Sequence, residues 1–291
     1  MPDGIVVIDK PEGWTSMDVC AKLRGVFHVK RVGHAGTLDP MATGVLPVFV
    51  GQATKAIPFA EEGHKTYEAL LRPGLVTDTQ DVMGTILSSD VAAAKALTRA
   101  DIEAVLPRFR GGIEQIPPMY SAVKMGGKKL YELARKGVTV ERKPRSVTIY
   151  SLELRERTEN GDWPLVIECS KGTYIRTICH DIGQALSCGA CMSALRRTQA
   201  ARFTLDEAVK LSDVEAQGAA VLRPLDSLFR QHPAYRIPNE TIERRCRCGN
   251  PLRVRSLEPG VYRVYGCDGS FLALSRCENG TLTAIRNFFT T

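Results

Sequence analysis

An α+β fold is predicted by three features of this chain. Its 291 residues, 44% of them apolar, are enough for one large core or for two smaller ones. Strand-like and helix-like runs both occur, but without the regular strand-helix-strand rhythm of a parallel α/β sheet. Beyond Gln231 the chain turns to short strand-like runs separated by glycine turns.

Residues 4 to 10 form a β-branched run that stops at the turn Lys10-Pro11-Glu12-Gly13. Ser16 is placed to cap a helix reaching about Phe27. A glycine-dense loop from Gly33 to Pro47 follows. Strand patterns then cover Thr66 to Leu71, Val138 to Leu154 and Leu165 to Cys169, and helix patterns cover Arg99 to Phe109, Tyr174 to Leu186 and Leu205 to Ala216. The helix-poor stretch from Arg223 to Pro233 places a domain boundary near Gln231, dividing residues 1–231 from a tail of residues 232–291. Strands are expected in that tail at Leu252 to Arg255, Gly260 to Tyr265, Phe271 to Leu274 and Leu282 to Asn287, as a small barrel or sandwich leaning on the first domain.

Charged residues make up 24% of the chain and no tract is of low complexity, which argues against disorder. No apolar run approaches the ~18 residues of a spanning helix. The first residues lack the basic stretch and long apolar core of a secretory signal, so a cytoplasmic protein is expected. Nine cysteines, an odd number, then read as reduced thiols. Cys188 with Cys191 has the spacing of half a zinc site, but the tail set Cys246, Cys248, Cys267 and Cys277 lacks the paired-knuckle spacing of such sites, and no metal is expected. The formal charge of +7 suits a polyanionic partner. There is no Gly-rich dinucleotide fingerprint, no phosphate loop and no zinc-deaminase signature.

Two segments have the composition of a reactive site. In Gly33-His34-Ala35-Gly36-Thr37-Leu38-Asp39-Pro40-Met41-Ala42-Thr43-Gly44-Val45-Leu46-Pro47 the glycines permit close approach of backbone to ligand, and Asp39 is the only acid. A lone carboxylate on such a loop can act as nucleophile or base, although spacing alone favours the plainer reading that Asp39-Pro40 begins a turn. In Cys169-Ser170-Lys171-Gly172-Thr173-Tyr174-Ile175-Arg176-Thr177 a strand passes through a glycine turn into a helix, placing Tyr174 and Arg176 near the helix start. An aromatic ring can stack on a base and a guanidinium can grip an oxyanion, though a tyrosine there can also simply pack. Lys124, Lys128 and Lys129 between Tyr120 and Tyr131, and Arg196 with Arg197, interleave cations with aromatics as in binders of looped RNA.

The chain resembles the TruB family of bacterial tRNA pseudouridine-55 synthases over nearly its whole length. The matching blocks are Ile8-Asp9-Lys10-Pro11, Gly33 to Pro47, Lys65-Thr66-Tyr67, Thr77-Asp78-Thr79, Ile116 to Ala122, Ser170 to Thr177 and Leu195-Arg196-Arg197, in the family's order. The resemblance implies a pseudouridine synthase fold, with a mixed, mainly antiparallel sheet and flanking helices. A small PUA-like C-terminal β domain over residues 232–291 and a thumb loop over about 117–145 go with it. It implies isomerisation of the T-loop uridine without cofactor or metal: the N1 glycosidic bond breaks, the uracil rotates, and C5 rejoins the ribose C1′. Asp39 matches the essential aspartate and Arg176 its ion-pair partner, expected to keep Asp39 ionised. Tyr67 matches a tyrosine stacked on the uracil and Tyr174 one close enough to move a proton. His34 matches the residue filling the space of the flipped uridine, Leu195 one touching the base, and Lys10 with Pro11 a supporting element. Cys191 stands where relatives commonly carry histidine.

Three classes stay open at this point: a tRNA uridine isomerase, a non-catalytic RNA binder or folding helper on the same scaffold, and a relative acting inside a guide-RNA complex. The four residues Asp39, Tyr67, Tyr174 and Arg176 favour the first. Complex-bound relatives carry longer basic extensions, so this chain is expected to be self-sufficient and monomeric, binding the tRNA T-arm and, through the tail, the acceptor stem.

Overall fold

The computed structural model describes residues 2–289. Strand β1 (Gly4–Lys10) is followed by helix α1 (Ser16–Phe27), the short β2 (Val32–His34) and β3 (Thr43–Val50). After α2 (Ile57–Glu61) come β4 (Lys65–Pro73) and a hairpin of β5 (Leu75–Thr77) and β6 (Ile86–Ser89). Helices α3 (Val91–Ala96) and α4 (Arg99–Val105) lead to β7 (Gly111–Gln115). A small hairpin, β8 (Lys124–Met125) with β9 (Lys128–Lys129), and α5 (Leu130–Ala134) stand between β7 and β10 (Arg145–Leu154). Then β11 (Trp163–Cys169), α6 (Ile175–Ala185), β12 (Ala190–Ala200), β13 (Phe203–Thr204) and α7 (Leu211–Gln217) complete the first part. The tail holds β14 (Ala234–Arg236), α8 (Glu240–Arg247), β15 (Leu252–Arg253), β16 (Gly260–Tyr265), β17 (Phe271–Glu278) and β18 (Thr281–Asn287).

The predicted α+β class holds. A nine-stranded sheet runs β1-β3-β12-β4-β11-β10-β7, with β2 on β3 and β13 on β12. All its ladders are antiparallel except β12 against β3, where Arg196 faces Thr43 and Arg197 faces Gly44. The tail forms a five-stranded sheet, β14-β16-β17-β18-β15. Alternation along β4 buries Lys65, Tyr67, Ala69 and Leu71 on one face, where α1 and α6 contribute Leu23, Phe27, Ile178 and Ile182 to the same core. The reverse face of β1 and β3 offers Ile5, Val7 and Phe49 to Phe229, Leu274 and Phe288, so the tail sheet packs against the back of the central one.

Several expected boundaries shift, each for a local reason. The cap of α1 is Thr15 rather than Ser16: its Oγ1 accepts from the Asp18 amide at 3.0 Å while Asp18 accepts from the Thr15 amide at 2.9 Å. Residues 138–144 are not strand, and β10 begins only after Pro144, which has no amide to give a ladder. Helix α4 gives way to a 3₁₀ turn over Leu106–Phe109 as Pro107 enters. The helix expected from Leu205 to Ala216 is a 3₁₀ turn, Leu205–Glu207, then α7; between them Val209 exchanges main-chain bonds with Val7 and Asp9 of β1. In the tail β15 stops at Arg253, short of Arg255, and β17 runs on past Leu274 to Glu278.

Candidate active site

The loop bearing Asp39 connects β2 to β3 and is held from three sides. The Ser16 hydroxyl accepts from the Leu38 amide at 2.9 Å and donates to its carbonyl at 3.2 Å. Lys10 Nζ donates to the carbonyls of Trp14 at 2.6 Å, Pro11 at 2.8 Å and Pro40 at 3.2 Å, and the Gly13 amide donates to the Pro40 carbonyl at 2.8 Å. Arg197 donates through Nε to the Val45 carbonyl at 2.7 Å and through Nη2 to Gly36 at 3.0 Å. A segment rich in glycine thus gains a single conformation from its neighbours rather than from its own propensities.

Opposite Asp39 stands Arg176 in the first turn of α6. Its Nε lies 3.1 Å from Asp39 Oδ2 and its Nη2 3.4 Å from Oδ1. Its Nη1 reaches Asp81 Oδ2 at 3.2 Å and the Thr79 carbonyl at 3.0 Å, and Nη2 also donates to the Tyr120 carbonyl at 2.9 Å. One buried guanidinium therefore ties together the Asp39 loop, the β5–β6 turn and the base of the β7–β10 connection. Asp81 is itself fixed by the Thr79 hydroxyl at 2.7 Å and the Met83 amide at 3.0 Å. The backbone of Tyr174 is bracketed by Gln115, which accepts from its amide at 2.8 Å and donates to its carbonyl at 3.0 Å.

Arg176 pairs with Asp39, as the resemblance implies, and burial works against it. Burial pushes the Asp39 carboxyl above the usual carboxylate range; Arg176 pulls it down, but Arg176 is shared with Asp81, whose own charge pushes Asp39 up again. The result is a carboxyl of raised proton affinity, suited to accept a proton or to attack and leave. Burial lowers Lys10 to about 8 against the pull of Asp39 and Glu12. Burial raises the Tyr67 phenol, opposed by the charge of Arg197. His34 is lowered by burial and then by Arg197, and its Nδ1 is enclosed without a partner among the described residues.

Tyr67 on β4 faces Arg197 on β12 in register, and Leu195 faces Ala69. Lys10, Asp39, Tyr67, Arg176 and Arg197 thus gather beside one another, while Tyr174 is half-buried at the N-terminal end of α6. The sequence reading of Arg196 and Arg197 as an RNA-facing pair is corrected: Arg197 is fully buried, and Arg196 is paired with Asp9 at 2.9 Å. Lys124 and Lys128 are exposed. Asp81 and Gln115 escaped the sequence reading, and Ser16 was read only as a helix cap. Only the neighbouring Thr77-Asp78-Thr79 block hinted at Asp81. A groove of about 480 Å³, lined by Met41, Leu70, Val166, Leu195 and Arg196, takes in Leu195 but none of Asp39, Tyr67 and Arg176.

Residues 24–175 match the family model described as TruB family pseudouridylate synthase (N terminal domain), and residues 176–230 that of the tRNA pseudouridylate synthase B C-terminal domain. A tRNA pseudouridine synthase B of Pseudomonas fluorescens (strain Pf0-1) is 43% identical over 293 residues, covering 97% of this chain and 94% of the relative. That of Trichormus variabilis is 39% identical, covering 96% of each. The fold is also that of the "Crystal Structure of a Cbf5-Nop10-Gar1 Complex", at a TM-score of 0.72 and 24% identity over 98% of this chain and 85% of that one. No helix among the described residues is long and apolar enough to cross a membrane. By sequence along nearly its whole length, the chain belongs to the TruB family of pseudouridylate synthases.

Proposed function

We propose that this chain isomerises uridine 55 in the T-loop of tRNA to pseudouridine, with Asp39 as the reacting carboxylate. Its family makes it an isomerase that acts on tRNA. The observation that carries the residue assignment is the Asp39 carboxyl of raised proton affinity, gripped at 3.1 Å by the buried Arg176. Isomerisation balances within the substrate: the N1–C1′ bond breaks, a C5–C1′ bond forms, and the C5 proton is lost as N1 gains one. The protein must therefore supply a carboxylate for the ribose or base, a proton carrier, and a surface that holds the detached uracil while it turns.

In this reading Asp39 attacks or deprotonates, Arg176 steadies its charge, Tyr67 stacks on the uracil, Leu195 touches it, and Tyr174 moves a proton. The uridine must leave the T-loop stack, at a cost of a few kcal/mol. His34, whose proton affinity burial and Arg197 lower, fills the vacated place. Lys10 supports the loop. Residues 1–231 form the catalytic domain, with residues 117–145 closing on the T-arm as a thumb. Residues 232–291 serve as a PUA-like domain reaching the acceptor stem. The protein works as a cytoplasmic monomer.

The test uses a tRNA transcript tritiated at uracil C5. Wild type is expected to release label, and a substituted T-loop uridine to abolish release. Asp39→Asn is expected to lower the rate at least about 10³-fold with tRNA affinity retained. A catalytically normal Asp39→Asn protein removes Asp39 from the reaction. Tight tRNA binding without release by wild type favours an RNA-binding role instead.

A further inference from the structure

Arg197 is completely enclosed, yet its hydrogen-bond partners among the described residues are two main-chain carbonyls, and its Nη1 has none. Burying a cation without an opposing carboxylate is costly, and neutral side chains can bond carbonyls with a smaller desolvation penalty. What distinguishes a guanidinium is a rigid planar fork that grips two acceptors at once. The two acceptors here flank Asp39, Gly36 near the start of its loop and Val45 in β3 just beyond the loop's end.

Two glycines show how close the fit is. At Gly44, with φ +98°, a Cβ would lie 2.2 Å from the Arg197 carbonyl oxygen. At Gly36, with φ +80°, it would lie 3.2 Å from Arg197 Nη1 and 3.3 Å from Lys65 Cε. On its other side Arg197 is the register partner of Tyr67, so the two side chains are neighbours on one sheet face. The loop and the aromatic ring therefore share a single support.

We propose that Arg197 is a positioning residue for the isomerisation: its guanidinium clips the Gly36 and Val45 carbonyls together and so fixes the Asp39 loop relative to Tyr67, without itself touching the reacting atoms. This rests on Asp39 and Tyr67 acting on the uridine. A wild-type protein that releases no tritium defeats that reading, whereas an active wild type indifferent to Arg197 defeats only this one.

Arg197→Lys keeps a cation but cannot span both carbonyls. The expected result, per folded molecule, is a single-turnover rate at saturating tRNA lowered about 100-fold, as a displacement near 1 Å produces, with the tRNA dissociation constant within about threefold of wild type. Arg197→Gln can bond one of the carbonyls but lacks the fork, and should lower the rate at least as far at unchanged affinity. It decides the matter alone if the lysine variant does not fold. A purely structural role would reduce the folded fraction and leave the turnover of folded molecules intact. Turnover at the wild-type rate, or affinity falling as far as the rate, overturns the proposal.

Discussion

At Lys10 burial and hydrogen bonding pull in opposite directions. The ammonium serves three carbonyls of the turn and loop beside Asp39, yet burial lowers it to about 8. A neutral amine has one donor fewer than those three carbonyls require, and it no longer offsets the negative charge shared by Asp39 and Asp81. Activity is therefore expected to fall about tenfold per pH unit once pH is well above 8, and Lys10→Arg, which stays charged, to flatten that limb of the pH–rate profile. Stability should move the other way. Because the unfolded lysine titrates near 10.5, the unfolded chain holds the extra proton between about 8 and 10.5, and this group makes folding more favourable as pH rises through that window. A parallel loss of rate and of thermal midpoint would point to unfolding instead. Asp39 offers a second sign test. Its folded carboxyl is raised, so its contribution to stability is present below the ordinary carboxylate range and is lost as pH climbs through the folded value. At neutral pH Asp39→Asn should thus raise the melting temperature while turnover is lost. The rise is expected to be only about 2 °C, since solvent still reaches the carboxyl and screens the effect.

At the scale of elements, what could be read in advance was what is local. The turn Gly172 makes between β11 and α6 and the placing of Tyr174 and Arg176 at the helix start follow from neighbours in sequence. Asp81 was legible only through the neighbouring Thr77-Asp78-Thr79 block, because its pairing with a guanidinium on a distant helix leaves no local signal. Arg197 was misread for a related reason: adjacent arginines on a strand point to opposite faces, and only the register of β12 against β3 and β4 decides which is buried. That register can be tested at Gly44. A Cβ there would meet the backbone of β12 at 2.2 Å in a conformation side chains rarely adopt. Gly44→Ala should cost about 3 kcal/mol or more in denaturant unfolding. A loss below about 1 kcal/mol would mean that the parallel seam between β3 and β12 yields easily.

Across the whole molecule the two sheets are joined by apolar packing. Phe229 meets Phe59 edge-on at 5.4 Å, lies 5.8 Å from Phe288, and Phe271 stacks on Phe288 at 5.2 Å. The tail sheet is thereby held against the back of β1 and β3, and its exposed cations have a set place relative to the active site. Not every arginine is available to a partner: Arg176 and Arg196 are paired with Asp39, Asp81 and Asp9, and Arg197 is engaged by main-chain carbonyls. What remains for a polyanion includes Lys124 and Lys128 on the β8–β9 hairpin, with Lys129 beside them, and Arg244 and Arg245 on α8. If the hairpin closes on the T-arm, replacing Lys124, Lys128 and Lys129 together by alanine should reduce the slope of log affinity against log salt by about 2 to 3, each lysine neutralising one phosphate. Replacing Arg244 and Arg245 should reduce it by about 1 to 2 if α8 faces the acceptor stem. Because one set stands on the β8–β9 hairpin and the other on α8 of the tail, their effects should add when combined. An unchanged slope in the hairpin variant, measured by filter binding between low and moderate salt, would show that those lysines face solvent in the complex and that the tRNA is held by other cations.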